Sequence, residues 1–409
     1  MSSPYAVLQI RDFRFFILAR LFVTLGIQVQ AVAVGLQVYE ITKDPLSLGL
    51  IGLSEAIPAI SVSLYAGHLA DVVQRRKIIL ACVTALSFCS IALFYLTTGI
   101  GSSISTYGAV PVYTIIFVTG IARGFLSPAT FSFMPQLIQR NHYQNAITWN
   151  STTWESASVG GPMIGGLIYG FFGITATYGT AILLFSIGLT SYLLIPNRVL
   201  PPVTEEQGIY EKIKAGIRFV FHNQIVLGAI TLDLFAVLFG GAIALLPIFA
   251  HEILKVGAVG FGFLRSAPSI GALLMAVFIT HYPIKKNIGK VLLWCVAGFG
   301  FCMIGFGFST SFWLSMIFLI LSGIFDCVSV IVRGTLIHTL TPENMKGRVA
   351  AVNSMFIGSS NEIGAFESGS AAKLMGVVPS VIFGGCMTIA VVATTAWKAV
   401  KLRTLNKVH

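Results

Sequence analysis

A short basic loop is followed directly by a long apolar run in residues 67–99, which read GHLADVVQRRKIILACVTALSFCSIALFYLTTG. The run from Ile78 to Gly99 contains no charged residue, and about 20 such residues suffice for a helix to cross the hydrocarbon core of a bilayer. Arg75, Arg76 and Lys77 lie before it, and positive residues of this kind are retained on the cytoplasmic side. This stretch therefore predicts a membrane span that leaves a cytoplasmic loop.

Apolar runs of the same kind fill most of the 409-residue chain. Hydrophobic residues make up 56% of the sequence and charged residues 10%, whereas an average soluble domain has about 25% charged residues. This composition excludes soluble, disordered and collagen-like proteins and predicts an all-α membrane protein with twelve transmembrane helices. The predicted spans are 14–39, 46–67, 78–99, 110–134, 146–171, 175–196, 225–250, 258–282, 290–308, 312–333, 349–372 and 377–397.

The net charge of +11 is distributed over the short loops between the apolar runs. With both termini in the cytoplasm, 19 Lys and Arg residues lie on the cytoplasmic side and three, Lys43, Lys255 and Lys373, on the opposite side. This asymmetry predicts cytoplasmic termini and contact with membrane lipids, and it argues against nucleic acid as a partner. The six Cys residues show no CxxC spacing and the seven His residues are scattered, so we expect neither a metal nor another cofactor.

The longest polar segment divides the chain into two halves of six spans. It covers residues 197–224, where Ile209, Ile213, Ile217 and Phe221 recur at helical spacing, so we expect a short amphipathic helix at the cytoplasmic interface. The predicted organisation is an N-terminal half (1–196), this cytoplasmic linker (197–224) and a C-terminal half (225–409).

The two halves resemble each other in sequence. A shift of 203 residues aligns Asn150 with Asn353, Gly161 with Gly364 and Gly166 with Gly369. Two parallel repeats related by an axis along the membrane normal are typical of transporters that bind their cargo near the bilayer midplane. The chain is therefore predicted to form two pseudo-symmetric six-helix halves.

Three motifs resemble those of the major facilitator superfamily and imply its fold. The loop containing Gly67, Asp71, Arg75 and Arg76 resembles the gate motif between spans two and three, with Gln74 in place of a glycine. Arg123 resembles the superfamily's span-four arginine. The span-five sequence 160-GGPMIGG-166 resembles its antiporter motif, which is typical of exporters; the motif residues are Gly161, Pro162, Gly165 and Gly166.

A narrower resemblance is carried by segments of the second half, and the opening residues 13–15 and 38–46 fit it too. The segments 325-FDCVSVIVR-333, 341-TPENMKGRV-349 and 361-NEIGAFESG-369 are similar to the branch of the superfamily that contains the enterobactin exporter and macrolide efflux proteins. Members of that branch carry different cargo, so the resemblance does not fix the substrate.

Charged residues inside spans are costly in lipid and are normally paired or face a cavity. We expect coupling or cavity roles, with static pairing as the alternative, for Arg20, Glu55, Glu155, Asp233, Arg265, Asp326, Arg333, Glu362 and Glu367. The pairings considered are Glu55 near Glu362, Arg265 with Glu155, Asp233 with Arg20, and Asp71 with Arg75 or Arg123. Cargo contacts, or equally interhelical hydrogen bonds, are expected for Gln28, Gln30, Gln37, Asn150 and Trp154.

The sequence as a whole predicts a secondary transporter that works by alternating access. The resemblance implies a proton-coupled exporter of a mid-sized organic molecule, with a siderophore as one candidate cargo. A broad multidrug or macrolide efflux pump is an alternative, and a lipid flippase or a non-transporting membrane sensor is an alternative of another class. Without a recognisable catalytic motif or a Walker loop, we expect a monomer that is not an enzyme and lies in the bacterial inner membrane.

Overall fold

The computed structural model describes residues 5–98, 107–139, 142–198, 217–282, 284, 286–342 and 345–406. Within these ranges every regular element is a helix, which agrees with the predicted all-α class. The longer helices are α1 (Arg11–Thr42), α2 (Pro45–Val72), α3 (Arg75–Thr97), α4 (Val110–Phe133), α5 (Tyr143–Leu193), α6 (Gln224–Phe239), α7 (Gly257–His281), α8 (Ile288–Phe308), α9 (Phe312–Leu340), α10 (Lys346–Met375) and α11 (Val377–Lys398). The short helix α12 (Val400–Arg403) follows.

Ten helical stretches of the described chain are long and apolar enough to cross a membrane. The predicted spans 146–171 and 175–196 are counted there as one, because α5 continues through Gly173, a non-helical residue with φ of 80°. Glycine suits this position, since a side chain is strained at such a φ. The predicted span 349–372 lies in α10, which is less apolar and is not among the ten. The count of twelve transmembrane helices therefore stays a prediction.

The predicted span 225–250 is interrupted. α6 ends at Phe239 and is capped by Gly240, and the chain continues as a 3₁₀ turn (Ala242–Leu245), a single α-turn (Leu246–Ile248) and a π-helical segment (Phe249–Ile253). A Cβ atom at Gly241 would lie 2.8 Å from the carbonyl oxygen of Gly364 in α10. The glycine therefore permits a backbone approach of α10 at the place where the α-helix stops.

The helices form two compact units. The first consists of Met1–Lys43, Ser54–Glu205 and Gly257–Ser266, and the second of Asp44–Leu53, Glu206–Val256 and Ala267–His409. The first unit thus includes the opening part of α7, and the second includes the opening part of α2. The predicted division at 197–224 is not tested by this grouping and stays a prediction.

Each unit has its own apolar core. In the first unit, α1 packs along α5, and Phe16, Phe133 and Phe185 are fully or almost fully buried. In the second unit, Leu292 of α8 and Leu336 of α9 are buried with neighbouring residues of α6. Because lipid tails are as apolar as these side chains, close packing rather than transfer out of water stabilises such contacts.

Only part of the predicted linker helix lies within the described residues. Residues 217–222 are helical, with Val220 buried and Phe221 exposed. Ile209 and Ile213 lie outside the described residues, so the amphipathic helix stays a prediction.

Candidate functional site

The first intramembrane ion pair joins Arg123 of α4 to Glu55 of α2. The two helices approach closely because Gly120, one turn before Arg123, lies directly against the backbone of Glu55, where a Cβ atom would collide with the Glu55 carbonyl oxygen. Side-chain exposure is 35% for Arg123 and 17% for Glu55, so the pair is partly accessible. Arg123 is thus a partner of Glu55.

A second ion pair in the other unit joins Arg333 of α9 to Asp233 of α6. Both side chains are almost fully buried. Asp233, Asp326 and Ser329 line a small cavity beside the pair, and the Ser329 hydroxyl is buried without a hydrogen-bond partner in the described structure. The expected pairing of Asp233 with Arg20 is therefore wrong, because the turn of α9 that carries Arg333 reaches Asp233 instead.

Arg20 of α1 faces an aromatic ring rather than an acid. Its guanidinium carbon lies 5.8 Å from the ring centroid of Trp154 on α5, and its Nε atom is buried without a hydrogen-bond partner in the described structure. Trp154 is 43% exposed. The structure thus brings together a predicted charge and a predicted cargo contact.

Glu155 follows Trp154 in α5 and is half-buried. No salt bridge to Glu155 exists among the residues that the structure describes. The expected ion pair between Glu155 and Arg265 is therefore absent from this structure. Successive residues of a helix point in directions about 100° apart, so Glu155 does not share the face that Trp154 presents to Arg20.

Glu362 and Glu367 lie on α10, in the second unit. A Cβ atom at Gly52 of α2 would lie 3.3 Å from Glu362 Oε2, so this carboxylate is packed against the opening part of α2. Glu367 is half-buried, beside Ser368. Both carboxylates stay candidates for cavity charges.

The arginines of the gate motif hold the ends of two neighbouring helices. Arg75 Nη1 donates to the carbonyl oxygen of Ser132 at the end of α4, at 3.1 Å. Arg76 donates from Nη2 to the carbonyl oxygen of Leu193 at 2.8 Å and from Nε to that of Tyr192 at 3.3 Å. Cations at helix carboxyl ends satisfy free carbonyl groups and oppose the helix dipole.

Two other members of the gate motif give less information. No heavy atom lies within 4 Å of a Cβ atom built on Gly67, so the glycine is not explained by a close contact. The side chain of Asp71 lies outside the described residues, and its predicted pairing stays a prediction.

The glycines of the antiporter-like motif form the contact face of α5. Gly161 lies against Gln28 of α1, and Gly165 lies against Val29 and Val32. Pro162 lies inside the helix, and a Cβ atom at Gly262 of α7 would be 2.5 Å from its carbonyl oxygen. Small residues at these positions permit backbones to approach closely.

One of these contacts is a glycine–glycine crossing between α5 and α7. A Cβ atom at Gly166 would lie 2.7 Å from Gly262 Cα, and Ser266 one turn later donates its hydroxyl to the carbonyl oxygen of Val159 at 2.8 Å. In the other unit, Gly369 of α10 contacts Gly49 of α2. A Cβ atom built on Gly369 would lie 2.9 Å from Gly49 Cα. The two glycines that the 203-residue shift aligns thus make the same kind of contact.

The span-one glutamines are used for interhelical hydrogen bonds. Gln30 accepts from Ser90 Oγ at 2.5 Å, and Gln37 accepts from Tyr178 Oη at 2.6 Å. Both glutamines are 4% exposed. For these two residues the structure agrees with the alternative of interhelical bonding. Gln28 is half-buried beside Gly161.

The loop between α1 and α2 carries a charged contact outside the spans. Lys373 Nζ, at the end of α10, donates to Asp44 Oδ2 at 2.8 Å. This hydrogen bond is the main cause that lowers the pKa of the Asp44 carboxyl below its ordinary value. The exposure of both side chains, 51% for Lys373 and 32% for Asp44, makes this a weak contact.

The comparison with known families decides the class of the protein. The family described as transmembrane secretion effector matches residues 2–408, which is nearly the whole chain. The chain belongs to the transmembrane secretion effector family. Two similar curated proteins are the enterobactin exporters EntS of Shigella dysenteriae serotype 1 (strain Sd197) and Escherichia coli O81 (strain ED1a); each is 28% identical over 379 residues, 91% of this chain and 88% of the relative.

Solved transporters share the fold of this transmembrane secretion effector. The POT family transporter PepTSo has a TM-score of 0.74 with 12% sequence identity, over 96% of this chain and 98% of that chain. A mutant of the nucleoside transporter NupG has a TM-score of 0.70 with 13% identity, over 95% of this chain and 99% of that chain. The family match over residues 2–408 confirms the predicted superfamily, and the shared fold confirms the predicted helical membrane architecture.

As a transmembrane secretion effector, the protein is a multi-pass membrane transporter and belongs to a non-enzymatic class. Within the described residues, no group of three His, Cys, Asp or Glu side chains has an arrangement that holds a metal ion. The chemistry of the site is thus that of charged, amide and aromatic side chains on helices.

Sequence reasoning did not identify several contacts of this transmembrane secretion effector, and three of them show why. It did not identify the anchoring of Arg76 on the end of α5, the hydrogen bond from Tyr178 to Gln37, or the crossing of Gly49 with Gly369. The repeat gave a signal for the last contact, because Gly369 aligns with Gly166. The first two contacts depend on how the part of α5 after Gly173 packs against α1 and α3. The local sequence gives no signal for this packing.

Proposed function

We propose that this protein is a proton-coupled exporter of a mid-sized organic molecule, with a siderophore as the first candidate cargo. The observation that carries the proposal is the similarity to enterobactin exporters EntS, which extends over 91% of the chain. The protein works as a monomer in the bacterial inner membrane, with both termini in the cytoplasm, in accordance with the distribution of Lys and Arg in the loops.

Alternating access requires helices that separate and pack again during each cycle. The crossings Gly166–Gly262 and Gly49–Gly369 support this part of the proposal, because backbone meets backbone without interlocking side chains. Such smooth contacts break and re-form at low cost, since no side chain has to change its rotamer. The pair of repeats then supplies two equivalent contacts.

Glu155 is the first candidate for the proton carrier. It is half-buried, and the described structure gives it no salt bridge. Its protonation therefore does not remove the counter-charge of a paired Lys or Arg. Glu55, in contrast, balances the charge of Arg123. We therefore assign proton carriage to Glu155 and a pairing role to Glu55.

A secretion profile of a deletion strain tests the function. Under iron limitation, the strain without this protein should retain inside the cell a compound that the complemented strain secretes, and mass spectrometry of cells and medium identifies it. Proteoliposomes should then accumulate that compound only when a pH gradient is imposed. Unchanged secretion together with lost erythromycin resistance would instead support a macrolide pump, and a changed lipid distribution between leaflets would support a flippase.

A further inference from the structure

Arg20 is an arginine of the first unit that has no acidic partner among the residues that the structure describes. Arg123 and Arg333 each form an ion pair inside the spans. Among the described residues, no carboxylate oxygen lies within the 4.0 Å salt-bridge distance of the Arg20 guanidinium. A desolvated charge without a partner is costly in a membrane protein and marks a functional site more often than a structural one.

One donor of Arg20 is also unused within the described part of the chain. Its Nε atom is buried and has no hydrogen-bond partner in the described structure. The nearby phenol of Tyr192 is already engaged with Thr130. A guanidinium donor that is withdrawn from water and left without an acceptor favours a ligand that brings its own acceptor oxygens.

An aromatic platform lies beside this cation. The Trp154 ring, 5.8 Å from the guanidinium carbon, is 43% exposed, so it leaves indole surface for a second contact. One turn earlier on α5, Asn150 Oδ1 is buried and has no hydrogen-bond partner in the described structure. Residues four positions apart share a helix face, so the unpartnered amide lies on the side of α5 that carries Trp154.

These features together define the chemistry of a ligand. The planar guanidinium binds two oxygens of a carboxylate or phosphate at once, and the indole favours a flat apolar ring. We propose that Arg20 and Trp154 form a recognition site for a planar aromatic group that carries an anionic oxygen pair. The inference rests on the proposed function, because it assigns the site to the cargo, and it names the class of that cargo as an aromatic anion.

A membrane lipid could supply anionic oxygens as well, so the test separates the two sources. The purified full-length protein in dodecyl maltoside, which is uncharged and free of phosphate, is titrated calorimetrically with 2-naphthoate and with its neutral isostere 2-naphthamide. A parallel titration adds dioleoylphosphatidylglycerol in mixed micelles. The wild-type protein should bind 2-naphthoate at least about tenfold more tightly than 2-naphthamide, as expected for one charge-assisted contact.

The variants identify the residues responsible. Arg20→Gln should abolish the preference for the anion, whereas Arg20→Lys should retain part of it. Trp154→Leu should weaken both probes equally, and Trp154→Phe should weaken them less. Arg198→Gln is the matched control, since it removes a guanidinium of the first unit that already pairs with Asp12 at the surface; its preference should equal that of the wild type.

Three outcomes would overturn the inference: equal binding of both probes by the wild type, a preference that persists in Arg20→Gln, and Arg20-dependent binding of the lipid without binding of 2-naphthoate. The last outcome would assign the site to a lipid phosphate. Because these titrations need no transport, their failure is distinguishable from failure of the exporter proposal, which the secretion profile tests.

Discussion

Asp233 on α6 and Arg333 on α9 form an ion pair in which only 7% and 4% of the side-chain surface is exposed. Removing one member of such a pair leaves the other charge buried alone, which is costly. Replacing both members by apolar residues leaves no buried charge and avoids this cost. This asymmetry makes the pair a measurable element of stability in the second unit, apart from any role in transport.

We expect Arg333→Met to lower the free energy of unfolding by about 3–5 kcal/mol, because Asp233 is left without its partner. The double variant Asp233→Leu/Arg333→Met should recover most of this loss. Thermal unfolding in detergent measures both. Lys373→Met is the matched control at the exposed pair with Asp44, and its effect should stay below about 1 kcal/mol. A double variant no more stable than Arg333→Met would contradict the assignment.

The two glycines at opposite ends of the α5 motif differ in the space around them. A Cβ atom at Gly166 would lie 2.7 Å from Gly262 Cα and from the carbonyl oxygen of Ala258, whereas one at Gly160 would meet only Leu25 Cδ2, at 3.8 Å. We expect Gly166→Ala to cost about 1–3 kcal/mol through overpacking. Gly160→Ala should be neutral or stabilising by up to about 1 kcal/mol, because alanine favours the helix.

Unfolding curves of the two alanine variants, recorded side by side, decide between a tight crossing and an ordinary helix face. Equal stability of Gly166→Ala and Gly160→Ala would show that α5 and α7 do not meet at Gly166. In a transport assay, Gly166→Ala should also reduce the rate, since the crossing has to close again in every cycle.

Much of the fold follows from the sequence, because each apolar run is long enough to impose a helix on a chain in lipid. What the sequence does not predict is where a helix bends or is interrupted inside an apolar run. The change of direction at Gly173 needs only one residue with positive φ. Because it requires no polar loop, the sequence gives no sign that α5 continues through it. α6 ends at Phe239, just before Gly241, where the backbone of α10 approaches; this approach is a tertiary contact.

The partners of the buried charges were harder to predict than their positions. The sequence identified Asp233 and Arg333 as intramembrane charges, but the repeat suggested Arg20 as the partner of Asp233. Which arginine reaches the acid depends on the rotation of each helix about its axis, and a change of one residue moves a side chain by about 100°. Gln30 and Gln37 show the same limit, because Ser90 and Tyr178 become partners only after α1 is packed.

The proposed division of labour between Glu155 and Glu55 can be tested by amide substitution. Glu155→Gln should leave the unfolding temperature close to that of the wild type. It should reduce uptake driven by a pH gradient to the level of protein-free liposomes, because an amide neither binds nor releases a proton near neutral pH. Glu55→Gln should lower stability, since Arg123 loses its ion pair with the Glu55 carboxylate. The measurement is cargo uptake by proteoliposomes with and without the gradient, together with thermal unfolding.

A control separates the pairing role of Glu55 from proton coupling. The double variant Glu55→Gln/Arg123→Gln removes both charges of the pair and should regain stability and gradient-driven uptake. Loss of the gradient response in this double variant, with a normal response in Glu155→Gln, would move the proton carrier from Glu155 to Glu55.

Substitution of Arg76 distinguishes two roles of the gate motif: stabilising the packing of helices in the ground state, or acting only in the conformational change. Its donors satisfy carbonyl oxygens of Tyr192 and Leu193 and the Oδ1 atom of Asn197, so Arg76→Gln should destabilise the protein by about 1–2 kcal/mol. Arg76→Lys should recover only part, because an ammonium group lacks the planar fork. Lys77→Gln, at the adjacent exposed position, is the control and should be neutral in thermal unfolding. If Arg76→Gln unfolds like Lys77→Gln but transports more slowly, the contacts with α5 do not stabilise the ground state, and the arginine acts in the conformational change instead.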